Sequence, residues 1–321
     1  MWIYAGATHG PYLRSFNAVL WVEIQTCHWV NHLIRRVDIL NSVRVALTGL
    51  ILATMVWGFT FTIVKSALID APPFGFLAWR FLLATLMAML VFHRRMCQLT
   101  SVEISGGIVC GIFLFAGFSF QTFGLVTTTA SKSAFITSIS ILLVPVILIL
   151  ARVQSIRLKI WISMLLAITG LYLVLNPKGT GITVGDAVTF GCACSFAVHI
   201  IFQDRYSKQQ VDTLRFFVIQ AAVVSMLSFG NHLVFESRPV LWSSRLITAL
   251  LITALAATLF GFGMMIQAQK VLSPSRTAIV FSLEPLFATL FAIWVTGEIF
   301  TVAGWVGGIL VIAGVILAES G

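Results

Sequence analysis

The sequence predicts an all-α membrane protein: ten transmembrane helices arranged as two inverted five-helix repeats. Three observations carry this prediction. The chain is 59% hydrophobic and only 10% charged, where a soluble domain carries about a quarter charged residues. Its apolar residues run in blocks of about 20, the length that a helix rising 1.5 Å per residue needs to cross a 30 Å hydrocarbon layer. Finally, the chain repeats itself at an offset of 144 positions.

The apolar blocks fall near residues 45–68, 72–92, 104–123, 133–151, 158–175, 184–203, 213–235, 246–268, 277–296 and 301–318. None alternates with period two over ten residues, which excludes a β-barrel. Asp70-Ala71-Pro72-Pro73, Asn176-Pro177-Lys178-Gly179 and Ser273-Pro274-Ser275 are turn clusters that stop one helix and start the next. The connections are too short to house a separate catalytic domain, so any chemistry belongs inside the bundle or at its mouths.

The net charge of +9 raises the question of an acidic partner. The basic residues are scattered through the connections, with no block of Lys/Arg interleaved with aromatics, so nucleic acid is not expected as a partner. They report orientation instead. With the N-terminus in the cytoplasm, 13 Lys/Arg lie inside and 5 outside, leaving Arg80 and Arg215 within helices. This bias predicts a multi-pass protein of the cell inner membrane with both termini cytoplasmic. The five cysteines, Cys27, Cys97, Cys110, Cys192 and Cys194, form neither a CxxC pair nor a metal-ligand spacing. No metal and no cofactor is expected, and no Walker loop is present to bind ATP.

At the 144-residue offset, residues 129–172 superpose without a gap on residues 273–316. Trp161 falls on Trp305, Gly170 on Gly314, Ser138 on Ser282 and Lys132 on Arg276. Shared apolar composition produces chance Leu and Ile matches, but not this set in one frame. The expected organisation is a first five-helix repeat over 44–178 and a second over 179–321. Five is odd, so the second copy enters the membrane from the opposite side. Inverted repeats recur in secondary transporters, where rocking of the halves exposes a central site to each side in turn. Small-residue faces, Gly304 with Gly308 and Gly107 with Gly111, would permit the necessary close packing.

Residues 1–43 fall outside this pattern. They hold three histidines, Glu23, Arg35 and Arg36 among apolar residues, without a signal-peptide cleavage site. The simpler expectation is that the true start lies near Val43; the alternative is an amphipathic helix on the membrane surface.

Several of these features together resemble the EamA-type branch of the drug/metabolite transporter superfamily, over about residues 44–318. The resemblance rests on Trp57-Gly58 with Lys65, Trp79-Arg80-Phe81, Ser131 to Ser138, Ser282-Leu283-Glu284-Pro285, and Gly297-Glu298 followed by Gly304, Gly307 and Gly314. It implies ten helices in an inverted five-plus-five repeat around a central cavity. It also implies export or exchange of small organic solutes such as amino acids, in some members coupled to protons. The copies are not symmetric: Gln154 stands where the second has Glu298, and Ile141 where it has Pro285.

Five residues are substrate or coupling candidates. Glu284 is a carboxylate within a membrane span, costly unless it faces water or a partner, and suited to proton coupling; its structural role would be to cap a broken helix beside Pro285. Arg80, about 12 Å into the second helix, could hold a substrate carboxylate as a bidentate fork or lock two helices through backbone carbonyls. His199 is either a hydrogen-bonded core residue or a proton relay. Trp57 belongs to packing or to an apolar pocket wall. Lys65 either snorkels to the outer interface or attracts an anionic solute. Glu298, Gly304 and Gly308 are structural candidates, Glu298 serving the start of the last helix.

The expected function is therefore a secondary transporter of small organic metabolites. Its partners would be a small-molecule substrate, the lipid bilayer and protons. Two other readings stay open at this point. A lipid-modifying intramembrane enzyme would need clustered acids or a nucleophile beside a base, whereas Glu284, His199 and Arg80 sit on separate helices. A non-transporting sensor or scaffold would be favoured by long polar termini.

Overall fold

The computed structural model describes residues 42–153, 155–175, 183–296 and 302–320. Residues 1–41 and Glu298 lie outside them. The packing described below is internal to one compact unit, Ala46–Gly321.

The described residues are helical and contain no strand. Helix α1 spans Ser42–Ala67, α2 Pro73–Val91, α3 Ser101–Thr127, α4 Ala130–Ser138, α5 Ser140–Leu150, α6 Leu158–Leu175 and α7 Val184–Ser207. Then come α8 at Thr213–Phe235, α9 at Ser244–Ile252, a π-helical stretch at Thr253–Phe260, α10 at Gly261–Gln269, α11 at Pro274–Val280, α12 at Leu283–Thr296 and α13 at Val302–Glu319. The repeat is visible in these bounds: α6 moved by 144 positions coincides with α13 at both ends.

Seven described helical segments are long and apolar enough to cross a membrane. Helices α6 and α13 hold shorter apolar stretches, Leu158–Val174 and Val302–Ala318, and the α11–α12 pair is interrupted. The ten expected spans are therefore not all present as long unbroken helices.

Three of the expected spans depart from regular helix, each for a local reason. The span at 133–151 breaks at Ile139, where Ser138 Oγ bonds back to Ala134 O and Ile139 N takes the nearer carbonyl of Ile136. Its repeat at 277–296 breaks at Phe281–Ser282, because Pro285 has no N–H for Phe281 O and its ring crowds that carbonyl. The span at 246–268 widens into the π-helical stretch. There Thr253 Oγ1 donates to Ala249 O and the indole of Trp57 donates to Ala257 O, so side-chain donors occupy carbonyls of the helix.

Glycines set the closest helix crossings. A Cβ on Gly170 of α6 would lie 2.5 Å from Gly307 O of α13, and one on Gly307 would lie 2.5 Å from Gly170 O. Gly107 and Gly111 of α3 receive Ile219 and Val223 of α8 in the same manner. In lipid, where apolar burial gives helices no net drive to associate, such backbone approach supplies dispersion contacts that hold them.

Each end of the bundle carries a carboxylate–arginine pair between the repeats. At one end, the Asp70 end, Asp70 accepts from Arg245 Nη2 at 2.7 Å, from Arg245 Nε at 2.8 Å and from Ser243 Oγ at 2.6 Å. The hydrogen bond from Arg245 is the chief reason that the Asp70 carboxyl is held down at about 2. At the other, the Glu103 end, the fully buried Glu103 accepts from Arg215 Nε at 2.9 and 3.0 Å and from Asp212 N at 2.9 Å. Hydropathy alone did not reveal these pairs.

Candidate functional site

The broken helices and the crossing helices α1, α2, α3, α7 and α10 surround an internal cavity of about 60 Å³. From the first repeat come Trp57, Thr60, Phe61 and Val64 of α1, Arg80 of α2, Phe118, Gln121 and Leu125 of α3, and Thr137, Ser138 and Ser140 at the α4–α5 break. From the second come Phe196, His199 and Ile200 of α7, Phe262 and Met265 of α10, Phe281 at the α11–α12 break, and Glu284 in the first turn of α12.

The wall follows the repeat. Phe118 and Phe262, Gln121 and Met265, Thr137 and Phe281, and Ser140 and Glu284 are each 144 positions apart, and all eight line the cavity. On α1 and α7 the offset is 142, relating Trp57 to His199, with Asp70 and Asp212 and then Phe74 and Phe216 following in the same frame. The scaffold is duplicated while its chemistry is not: the carboxylate of Glu284 corresponds to the hydroxyl of Ser140 in the other copy, and the indole of Trp57 to the imidazole of His199.

Arg80 is buried to 3% exposure. Its Nε donates to Thr258 Oγ1 at 2.8 Å, and its guanidinium carbon stands 4.6 Å from the centre of the Phe118 ring and 5.4 Å from that of Phe81. Its link to another helix thus runs to a hydroxyl, and no carboxylate pairs with it among the described residues. Such a cation is stabilised by the aromatic faces, while the outer guanidinium donors stay available to a ligand in the cavity.

Glu284 has no hydrogen-bond or ion-pair partner for its carboxylate among the described residues. Its position in the first turn of α12 places it where the helix dipole favours negative charge. The break at Phe281–Ser282 therefore does two things: it interrupts the span, and it creates a helix start at the cavity wall.

Trp57 both packs and bonds. Its ring lies 5.2 Å from that of Phe262 and 5.3 Å from that of Phe281, and its Nε1 donates to Ala257 O at 2.7 Å. A Cβ on Gly261 would come within 2.5 Å of that nitrogen, so only glycine leaves room for the bond. His199 sits beside Gln220, with Nε2 3.0 Å from Oε1. Four of the five candidates, Glu284, Arg80, His199 and Trp57, thus share one cavity.

Lys65 lies elsewhere. Its Nζ donates to Thr128 O at the α3–α4 junction, and it borders a groove at the Asp70 end that also holds Arg238. Leu125 lines both that groove and the cavity. Gly304 is buried on α13, and a Cβ on Gly308 would meet Leu286 only at 3.4 Å. The tight crossing with α6 is made instead by Gly307 and Gly314.

Sequence reasoning missed Phe118, Phe262, Ser140 and Thr258. The first three carried a signal: the 144-residue frame runs upstream of Thr129 far enough to pair the two phenylalanines, and Ser140 is the partner of Glu284. Thr258 carried none, because its role depends on the π-helical widening.

Comparison with known proteins agrees with this architecture. The model of the EamA-like transporter family matches twice, over residues 44–176 and 183–319. A protein of Archaeoglobus fulgidus described as an uncharacterized transporter is 33% identical over 271 residues, covering 84% of each chain. A second, described in the same words and from the same organism, is 25% identical over 284 residues, covering 84% of this chain and 96% of its own. A solved crystal structure superposes with a TM-score of 0.70 at 18% identity, covering 87% of this chain and 96% of the other; at that identity it supports the fold alone.

Proposed function

Because the chain belongs to the EamA-like transporter family, and is thus a multi-pass membrane transporter, we propose that it is a secondary carrier of small zwitterionic metabolites, amino acids or close relatives. One observation carries the proposal. Arg80 and Glu284, opposite in charge and neither neutralised by an opposite charge among the described residues, line the same aromatic-walled cavity. An arginine fork suits a carboxylate, a carboxylate suits an ammonium, and the rings of Trp57, Phe262 and Phe281 suit an apolar side chain.

The carrier works by alternating access, the repeats over 44–178 and 179–321 rocking about the cavity while ten crossing segments hold the bilayer. Here α4–α5, α9–α10 and α11–α12 each count as one interrupted crossing, and both termini face the cytoplasm of the inner membrane. Export is the working direction. Glu284 is the proton-coupling group and His199 a second site where a proton can rest. The names of the family and of the two relatives are those of transporters, not of enzymes.

The test is flux in proteoliposomes of wild type and Glu284→Gln, across a panel of amino acids, organic cations and organic anions and over a pH range. The proposal expects zwitterions to be moved by wild type, and the pH dependence to flatten in the variant. A folded wild type that moves none of the panel would sink it.

A further inference from the structure

We propose that the cavity opens to the Glu103 end through a hydrated passage between α7 and α10, shut in this structure by the hydrogen bond between Gln203 and Gln269. The inference rests on the carrier reading above and adds the route and its gate.

Gln203 lies one turn beyond the cavity residue His199 on α7, and Ser207 one turn further, so the three share a stripe that leads from the cavity to the α7–α8 connection. All are at most 1% exposed. Gln203 Nε2 donates to Gln269 Oε1 at 2.7 Å, and Gln269, the last residue of α10, donates from Nε2 to Ile200 O at 2.9 Å. Two amide atoms along the α7 stripe are left over: Gln203 Oε1 on the seam itself, and Nε2 of Gln220, the α8 residue that stands against His199, are buried with no hydrogen-bond partner. Polar groups are costly within a membrane span, and unpaired ones more so. An unmet acceptor and an unmet donor beside a cavity are what a water-lined path leaves when it is squeezed shut.

The repeat supplies an independent argument. At the offsets that relate the cavity walls, Gln203 is the counterpart of Phe61 and Gln269 of Leu125. Phe61 and Leu125 form part of the cavity wall, and Leu125 also lines the groove at the Asp70 end. Leu125 thus stands between cavity and groove, with Phe61 on the cavity side. The duplicated position at the opposite end is the glutamine pair, so it occupies the place of the second partition. An apolar partition excludes water outright. An amide partition exchanges its bond for bonds to water as it parts, which makes the Glu103 end the wet exit.

Glutamines that merely staple α7 to α10 would never meet water, and this separates the alternatives. In full-length protein with all five native cysteines replaced by alanine, single Gln203→Cys and Gln269→Cys variants are exposed to a charged, membrane-impermeant thiol reagent in right-side-out and inverted vesicles. Gln209→Cys, on the exposed α7–α8 connection, identifies the Glu103 side, and Met226→Cys, 74% exposed on α8, serves as the lipid-facing control. The expected result is labelling of both gate positions only from the side that labels Gln209→Cys, several-fold faster than Met226→Cys. Labelling no faster than that control, or from the other side, overturns the passage. Should either variant fail to fold, Ser207→Cys on the same stripe is read by the same criterion.

A paired Gln203→Leu, Gln269→Leu variant, recovered folded, is expected to lose flux several-fold, and undiminished flux overturns the gate. A wild type that moves no solute refutes the carrier reading instead, while the labelling still decides whether the passage exists.

Discussion

Arg80 of α2 donates its Nε–H to the hydroxyl of Thr258 at 2.8 Å, joining a cavity cation to the π-helical stretch of the opposite repeat. One turn of that stretch is thus held at two adjacent residues by cavity side chains, since the indole of Trp57 donates to the carbonyl of Ala257. A ligand that drew Arg80 or Trp57 toward itself would therefore pull on the segment of α9–α10 whose helical bonding is least regular. π-helical turns of this kind are frequent at functional sites.

Thr258→Val keeps the shape of the side chain and removes the acceptor. The expected cost in stability is about 1.5–3 kcal/mol, the range for a hydrogen bond to a charged group, read from thermal unfolding in detergent. Arg80→Lys retains the charge but loses the fork and the Nε bond. Substrate binding is expected to weaken roughly tenfold, equivalent to about 1.4 kcal/mol, as a rise in the half-saturating concentration for transport.

Glu103 is fully buried at a bundle end and takes the hydrogen bonds of the half-buried Arg215, so removing its charge breaks a buried ion pair. Glu103→Gln is expected to destabilise the fold by about 3 kcal/mol, and Glu103→Gln combined with Arg215→Met by less than the single change. A double variant no more stable than the single one would assign the energy to the capping of α3, in which Glu103 also takes part.

Acid lability should trace in part to Asp70. Its folded carboxyl is held at about 2, below the ordinary value of 3.8. A depressed pKa stabilises the fold above the unfolded value, and that contribution fades as pH falls from near 4 through 2. Asp70→Asn removes this pH-linked part, so its unfolding midpoint should change less than that of wild type between pH 5 and pH 2. Identical profiles would show that Arg245 gains nothing from the carboxylate in the folded state.

The repeat and the helical, membrane-embedded character were legible in the sequence, because both are written in composition and in an ungapped frame. The bounds of α6 and α13, coincident at the 144-residue offset, are that frame made visible. What hydropathy could not see was backbone chemistry inside a span. Pro285 denies Phe281 O its regular i+4 donor, leaving it the N–H of Glu284, Ser138 bends back on Ala134, and Trp57 opens α9–α10 from across the bundle, yet all these segments are apolar. The carboxylate–arginine pairs were illegible for a related reason: Glu103 and Arg215 are far apart in sequence and only tertiary packing joins them. Of the candidates, Glu284, Arg80, His199 and Trp57 came together in one cavity, while Lys65 went to the groove beside it.

Close packing at the α6–α13 crossing is equally open to test. Gly170→Ala sets a methyl 2.5 Å from Gly307 O, a backbone atom that cannot swing aside. The expected loss is about 1–3 kcal/mol, against a gain of about 0.5–1 kcal/mol for Gly230→Ala, inside α8 with nothing within 4 Å.

The most direct measurement of the central claim is competition for transport by three matched solutes: an amino acid, its amide without the carboxylate, and its deaminated acid without the ammonium. If Arg80 and Glu284 grip the two ends of a zwitterion, only the intact amino acid competes well with wild type. Glu284→Gln should then narrow the gap between it and the deaminated acid, and Arg80→Lys the gap between it and the amide. Equal competition by all three solutes, unchanged in both variants, would contradict the assignment of this cavity as the substrate site.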